Sequence, residues 1–116
     1  MIAGNPKFYE FKSYGQSSEI KLNQLLSYFN RVNSLNEIKY VFNLSKLTEI
    51  AAKKKMRNYF IRNSEAIWNV ATARSFPEFA ELKLKDGTFV RSKDLFKKYL
   101  EENTYTDTIF NFVISQ

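Results

Sequence analysis

The chain has 116 residues, with 18 Lys and Arg against 12 Asp and Glu for a formal charge of +6, and it contains neither Cys nor His. That length suits a single domain, and 44% hydrophobic with 16% aromatic residues is enough to bury a core, which excludes a disordered tail. The missing Cys and His exclude a disulfide scaffold, a thiol nucleophile, a zinc ribbon, a Ser-His-Asp triad and a His metal cage, so any catalysis must run on carboxylates, Lys, Tyr or hydroxyls.

The positive excess fits a polyanionic partner such as nucleic acid, or an anionic membrane face. No apolar run approaches the ~18 residues of a transmembrane helix, and no basic-then-apolar leader opens the chain. Membrane insertion is therefore not expected.

Residues 7–14 (Lys-Phe-Tyr-Glu-Phe-Lys-Ser-Tyr) lie between Pro6 and Gly15 and predict a strand. Phe8, Glu10 and Lys12 share one face, and Tyr9, Phe11 and Ser13 form the face expected to pack inward. Ser17 or Ser18 then caps a predicted helix with Glu19 in its first turn. Leu22, Leu25, Leu26, Phe29 and Val32 recur at helical spacing along it, and it ends near Asn33 and Ser34.

Residues 36–43, with Ile38, Tyr40, Val41 and Phe42, predict a second strand. Ser45 is the expected cap of a helix over 46–62, whose apolar members are Leu47, Ile50, Ala51, Met56, Tyr59 and Phe60. Asn63 and Ser64 break it, and a helix over 65–73 turns Ile67, Trp68 and Ala71 inward. Pro77 marks a loop. Asp86 and Gly87 between alternating runs, with Leu82 and Leu84 before them and Phe89 after as the apolar members, predict a hairpin over 81–91 with a type I′ turn. Ser92 caps a helix over Lys93–Glu102 that carries Leu95, Phe96, Tyr99 and Leu100. The apolar run 109–114 reads as a central strand. The fold class expected is α+β, mixed, in one domain with no repeat or linker.

Two features carry chemistry. In Glu10-Phe11-Lys12, two-residue spacing on a strand presents a carboxylate and an ammonium on the same face. A carboxylate there can hold a divalent metal, while the ammonium orients a water or offsets charge growing on a phosphorane-like transition state. In Gln24-Leu25-Leu26-Ser27-Tyr28, Gln24 and Tyr28 are i and i+4 neighbours that project together from the following helix. The plainer readings are a same-face ion pair worth at most ~1 kcal/mol, an exposed Gln, and a Tyr completing the core stripe.

A strand bearing Glu-x-Lys, a loop and a helix bearing Gln-x-x-x-Tyr resemble the RecB-like form of the PD-(D/E)xK nuclease superfamily. The wider layout, with Tyr-Glu-Phe-Lys-Ser, Lys-Leu-Asn-Gln-Leu and Tyr-Val-Phe-Asn, is similar to the C-terminal nuclease-type domains of bacterial polymorphic and contact-dependent toxins. The motif part covers about residues 7–43. The resemblance implies a restriction-endonuclease-like core sheet flanked by helices, Glu10 as a ligand to Mg²⁺ or Mn²⁺, and Lys12 assisting the attacking water. Gln24 and Tyr28 would line the site and position the DNA backbone. It also implies a C-terminal part of a larger bacterial protein, working in the cytoplasm or delivered to that of a target cell, with a cognate immunity protein as a possible partner.

The family's other metal ligand, an Asp on a preceding strand, has no counterpart, because residues 1–9 contain no acid. Three explanations stand open, and the first ranks ahead. The chain is a fragment lacking its first hairpin, or a distant acid (Glu19, Asp86 or Asp107) substitutes, or the fold persists as a non-catalytic nucleic-acid-binding or protein-interaction module.

The basic excess concentrates in 46–62. Lys46, Lys53, Lys54, Lys55, Arg57 and Arg62 against Glu49 alone leave +5 on this segment. Its functional reading is a phosphate-tracking surface with steep salt dependence, against the plainer one of a solvated helix face. Tyr59, Phe60 and Trp68 could stack on bases, but at helical spacing they read first as core.

Overall fold

A three-stranded parallel sheet organises the chain: β1 (Phe8–Lys12), β2 (Ile38–Phe42) and β3 (Val113–Ser115), in the order β1-β2-β3. The computed structural model describes residues 21–103 and 108–116 in full and residues 8–12 as backbone. Parallel neighbours cannot be joined by tight hairpins, so each needs a crossover. The first carries α1 (Leu22–Phe29) and a 3-10 turn (Leu35–Glu37). The second carries α2 (Glu49–Arg62), α3 (Ser64–Ala73), α4 (Pro77–Ala80), α5 (Lys93–Glu102) and a second 3-10 turn (Thr108–Phe110). Successive strands step in one direction, and right-handed crossovers then stack their helices on the same face of the sheet. Burial agrees. Ile38, Tyr40 and Phe42 of β2 enter the main core with Val113, whereas on the other face Lys39 is half-exposed and Val41 is buried outside that cluster. The molecule is mixed α and β, of the α+β class expected.

The α1 helix begins at Leu22 with Lys21 at its N-cap and no side-chain cap bond. The expected caps Ser17 and Ser18, and Glu19, lie outside the described residues. Leu25, Phe29 and Val32 are buried as predicted, and Leu22 and Leu26 pack beside them. The next helix starts later than the sequence suggested. Thr48, not Ser45, is the N-cap of α2, its hydroxyl accepting from Ala51 N–H at 3.2 Å. Ser45 is instead taken up by an Asx turn, donating backbone N–H and hydroxyl to Asn43 Oδ1 at 3.0 and 2.7 Å. Ile50, expected among the apolar members, is 55% exposed, and Ala52 takes a core place instead. Pro77 does not mark a loop but opens α4, where its fixed φ and missing N–H suit the first turn.

The core is an aromatic network around Phe60, whose ring lies 5.3 Å from Phe110 and 6.1 Å from Phe112. Phe96 joins it to Trp68 at 5.4 Å and to Phe79 at 5.3 Å. Tyr59, Phe60 and Trp68 are all buried, so the reading of them as core holds and base stacking by these rings is excluded.

The 81–91 segment is a hairpin with a single antiparallel bridge, Lys83 to Phe89. Its turn is not type I′: Gly87 has φ +91°, while Asp86 is absent from the positive-φ residues. Gly87 N–H donates to Leu84 O at 2.9 Å and Leu84 N–H to Thr88 O at 2.8 Å. This is the three-residue loop in which a type I turn is completed by one left-handed glycine. Leu82, Leu84 and Val90 face the core. Ser92 caps α5 as predicted, accepting from Leu95 N–H at 3.2 Å.

The C-terminal run differs from expectation. Thr108–Phe110 is a 3-10 turn, and β3 covers only three residues at an edge of the sheet, with β2 central. The run is apolar because Ile109, Phe110, Phe112 and Val113 all reach the core from a turn and a short strand, not because a strand is buried on both faces. An open strand edge invites pairing with other chains. Here Ser115 N–H is occupied by Glu49 Oε1 at 3.1 Å, and Ser115 Oγ donates to Leu47 O at 3.0 Å.

Candidate nuclease site and basic surfaces

The four residues of the expected nuclease site sit on β1 and α1, consecutive elements of the first crossover. Glu10 and Lys12 are backbone positions of β1 that pair in register with Tyr40 and Phe42. Those two β2 residues send their side chains into the helix-covered core, and Leu25 and Phe29 of α1 belong to the same buried cluster. Positions 10 and 12 are thus in register with the core-facing positions of β2, and 9 and 11 with Lys39 and Val41. The expected inward face of Tyr9, Phe11 and Ser13 concerns side chains outside the described residues, as do those of Glu10 and Lys12. On α1, Gln24 and Tyr28 are both half-buried, and Tyr28 packs against the core as the plainer reading anticipated. Lys12 ends β1, and the carboxyl ends of parallel strands are where ligands collect in such sheets.

A divalent cation wants six or more oxygen ligands, several of which can be water, and no side-chain set among the described residues gathers them. Glu10 is the sole acid before Glu19, and among the described residues no three acidic side chains converge. Of the acids that could substitute, Asp86 is held at the hairpin tip, where its Oδ1 accepts from Thr88 N–H at 2.9 Å. The hydrogen bonds from Thr88 lower its pKa, with a smaller pull from Lys98. Glu19 and Asp107 lie outside the described residues.

No protein-family model matches the chain, and neither does any curated protein or solved structure.

The basic helix divides into different roles. At 100° per residue, Lys53, Arg57, Lys54, Arg62 and Lys55 spread over the whole solvent half of α2 and do not line up on one stripe. Arg57 is engaged inside the protein: Nε donates to Leu100 O at 3.0 Å and Asn103 O at 2.8 Å, satisfying carbonyls at the end of α5. In this arrangement Arg57 serves as a structural cap of α5, a role distinct from its expected place among nucleic-acid contacts. Lys54 and Arg62 are exposed, Lys53 and Lys55 half-exposed, and the Arg62 guanidinium lies 6.0 Å from the Tyr59 ring centroid. Glu49, the lone acid of the segment, is spent on Ser115 N–H.

A cleft of about 490 Å³ lies elsewhere, lined by Lys39, Glu78, Glu81, Lys83, Tyr99 and Asn111 among others. It includes the start of β2 and the approach to β3, the end of the sheet opposite Lys12, and none of the predicted site residues. Glu78 is committed there, accepting from Ser34 Oγ and from Leu35 N–H at 3.1 Å. No helix among the described residues is long and apolar enough to cross a membrane.

Sequence reasoning missed one surface. Phe89 is 44% exposed, the single exposed phenylalanine among those described. Lys83 Nζ lies 4.7 Å and the Arg91 guanidinium 4.6 Å from its ring centroid. The signal was present in the alternation Lys83-Leu84-Lys85 and Phe89-Val90-Arg91, which puts Phe89 on the polar side of the hairpin.

Proposed function

We propose that the chain is a metal-dependent nuclease domain of PD-(D/E)xK type, from a bacterial toxin or effector, acting on DNA in preference to RNA. The observation that carries this reading is the β1-α1-β2 unit. It sets positions 10 and 12 in register with the core-facing Tyr40 and Phe42 of β2 and follows β1 in the chain with the helix bearing Gln24 and Tyr28. In this proposal Glu10 supplies one oxygen ligand to Mg²⁺ or Mn²⁺, with the remaining ligands coming from outside the described residues. Lys12 is the cation beside the scissile phosphate, and Gln24 and Tyr28 support the DNA backbone. Lys53, Lys54, Lys55 and Arg62 provide the wider positive field. An immunity protein that masks this site is the partner proposed with it.

The test is plasmid nicking with Mn²⁺ by the protein and its Glu10→Ala and Lys12→Ala variants. Loss of cleavage in both variants supports the site, and cleavage equal to that of the unaltered chain sinks it. A second reading, a non-catalytic nucleic-acid-binding or protein-interaction module, is favoured by the lack of a converging acid group among the described residues. It predicts polynucleotide binding without cleavage under the same conditions.

A further inference from the structure

Exposing a phenylalanine forfeits the burial that every other described phenylalanine obtains, so Phe89 needs a reason to be where it is. Its hairpin has two unlike sides. Leu82, Leu84 and Val90 face the core, whereas Lys83, Lys85, Phe89 and Arg91 are exposed. Phe89 stands directly opposite Lys83. The flanking bonds, Val90 N–H to Leu82 O at 3.0 Å and Leu84 N–H to Thr88 O at 2.8 Å, make this the close, non-hydrogen-bonded kind of pair. Arg91 lies two residues further along the same face, and its Nη1 donates to Ala80 O at 3.2 Å, which anchors it beside the ring. The hairpin thus holds one solvent-facing aromatic ring with a cation less than 5 Å from its centroid on two counts, one of them anchored.

We propose that the Lys83-Phe89-Arg91 face of the hairpin is a binding platform for single-stranded nucleic acid. A base stacks on Phe89, and Lys83 and Arg91 engage the flanking phosphates. Single-strand binders combine a positive surface with aromatic rings in this way, because every base has a π-face to offer. An exposed cation–π contact is the weaker of the two interactions, so an arriving base displaces Lys83 from the ring, and the ammonium moves to a phosphate. Lys85 on the same hairpin adds a third positive charge, against Asp86 at the tip, Glu81 at the base and Glu102, whose Oε1 accepts from Lys85 N–H at 3.0 Å. An acidic peptide could meet the same cations but has no flat ring to stack, and it is therefore the competing outcome. The inference rests on the proposed function only in taking nucleic acid as the ligand.

The experiment is fluorescence anisotropy of a labelled oligothymidylate with the full chain in EDTA, so that cleavage and binding are read separately. Phe89→Ala should weaken binding by about five-fold to about 100-fold with an unchanged melting temperature, while Phe89→Trp should retain it. Duplex of the same length should bind the unaltered chain and Phe89→Ala alike. Equal affinity of the two for oligothymidylate, no binding by the unaltered chain, or the same Phe89 dependence for polyglutamate would each overturn the proposal. Binding is read in EDTA and cleavage with Mn²⁺, so a failed nuclease assay and a failed platform give different results.

Discussion

Replacing Arg57 with methionine keeps the length and apolar stem of the side chain and removes the guanidinium. Nε then no longer reaches Leu100 O at 3.0 Å or Asn103 O at 2.8 Å, and Nη2 is lost from 3.4 Å of Glu101 O. These carbonyls stand at the end of α5, where no further helical N–H is available to them. A hydrogen bond from a charged donor is worth about 1.5–3 kcal/mol. Favourable charge at a helix C-terminus adds about 0.3–1 kcal/mol. The site is only part-buried, so water reclaims some of the carbonyls, and the net loss should be about 2 kcal/mol, not the sum of the contacts. For a domain of this size that lowers the melting temperature by roughly 6–10 °C. Lys54→Met on the same helix removes an exposed charge and should stay within about 0.5 kcal/mol. Thermal unfolding followed by circular dichroism makes the comparison. An anisotropy titration across salt adds the second readout, in which Lys54→Met flattens the slope by up to about one phosphate contact and Arg57→Met leaves it unchanged. A melting temperature for Arg57→Met equal to that of the unaltered chain would refute the capping role. A flattened salt slope for Arg57→Met would return Arg57 to the nucleic-acid surface.

Cap positions give a second contrast, in urea midpoints: Thr48→Ala should cost about 1 kcal/mol and Ser45→Ala clearly less, because only Thr48 caps α2. The reverse order would mean that α2 begins at residue 46. Phe60→Ala empties the centre of the aromatic network and should cost about 3–5 kcal/mol, enough to leave much of the population unfolded at 37 °C; a small, cooperative shift would show that the core can collapse around the gap. For Asp86, the pKa is lowered in the folded chain, so its stabilisation of the hairpin is present at neutral pH and fades as pH falls through the carboxylate range near 4. Asp86→Asn should remove that part of the acid sensitivity, as read by melting temperature from pH 7 to pH 3, and parallel curves for the two proteins would contradict it.

Much of the secondary structure could be read locally because its causes are local. Ser92 followed by Leu95, Phe96, Tyr99 and Leu100 contains both the cap and the stripe of α5, and the structure reproduces that helix residue for residue. Ile67, Trp68 and Ala71 of α3 were equally legible from period alone. Where two residues offered the same local chemistry, the sequence was ambiguous. Ser45 and Thr48 are both good caps, and the choice between them was made by Asn43, whose carboxamide takes Ser45 into a turn. The run 109–114 misled because an apolar string reports burial and not its geometry: a 3-10 turn and an edge strand bury the same residues as a central strand would.

The candidate site divides along the same line. Spacing alone could pair Glu10 with Lys12 and Gln24 with Tyr28, since strand and helix periods are properties of a single element. Bringing β1 beside β2 in a register that sets position 10 against Tyr40 needed the parallel crossover, which no window of sequence contains. The charge of +5 on 46–62 was likewise a fact of sequence, but its use was not. Only the packing of α2 against α5 turned Arg57 inward onto carbonyls, and only the hairpin's pairing brought Lys83 and Arg91 to the ring of Phe89. Composition and period determined which residues could be buried, charged or reactive. Tertiary structure decided which of them meet, because contacts between distant segments depend on how the elements are stacked and registered.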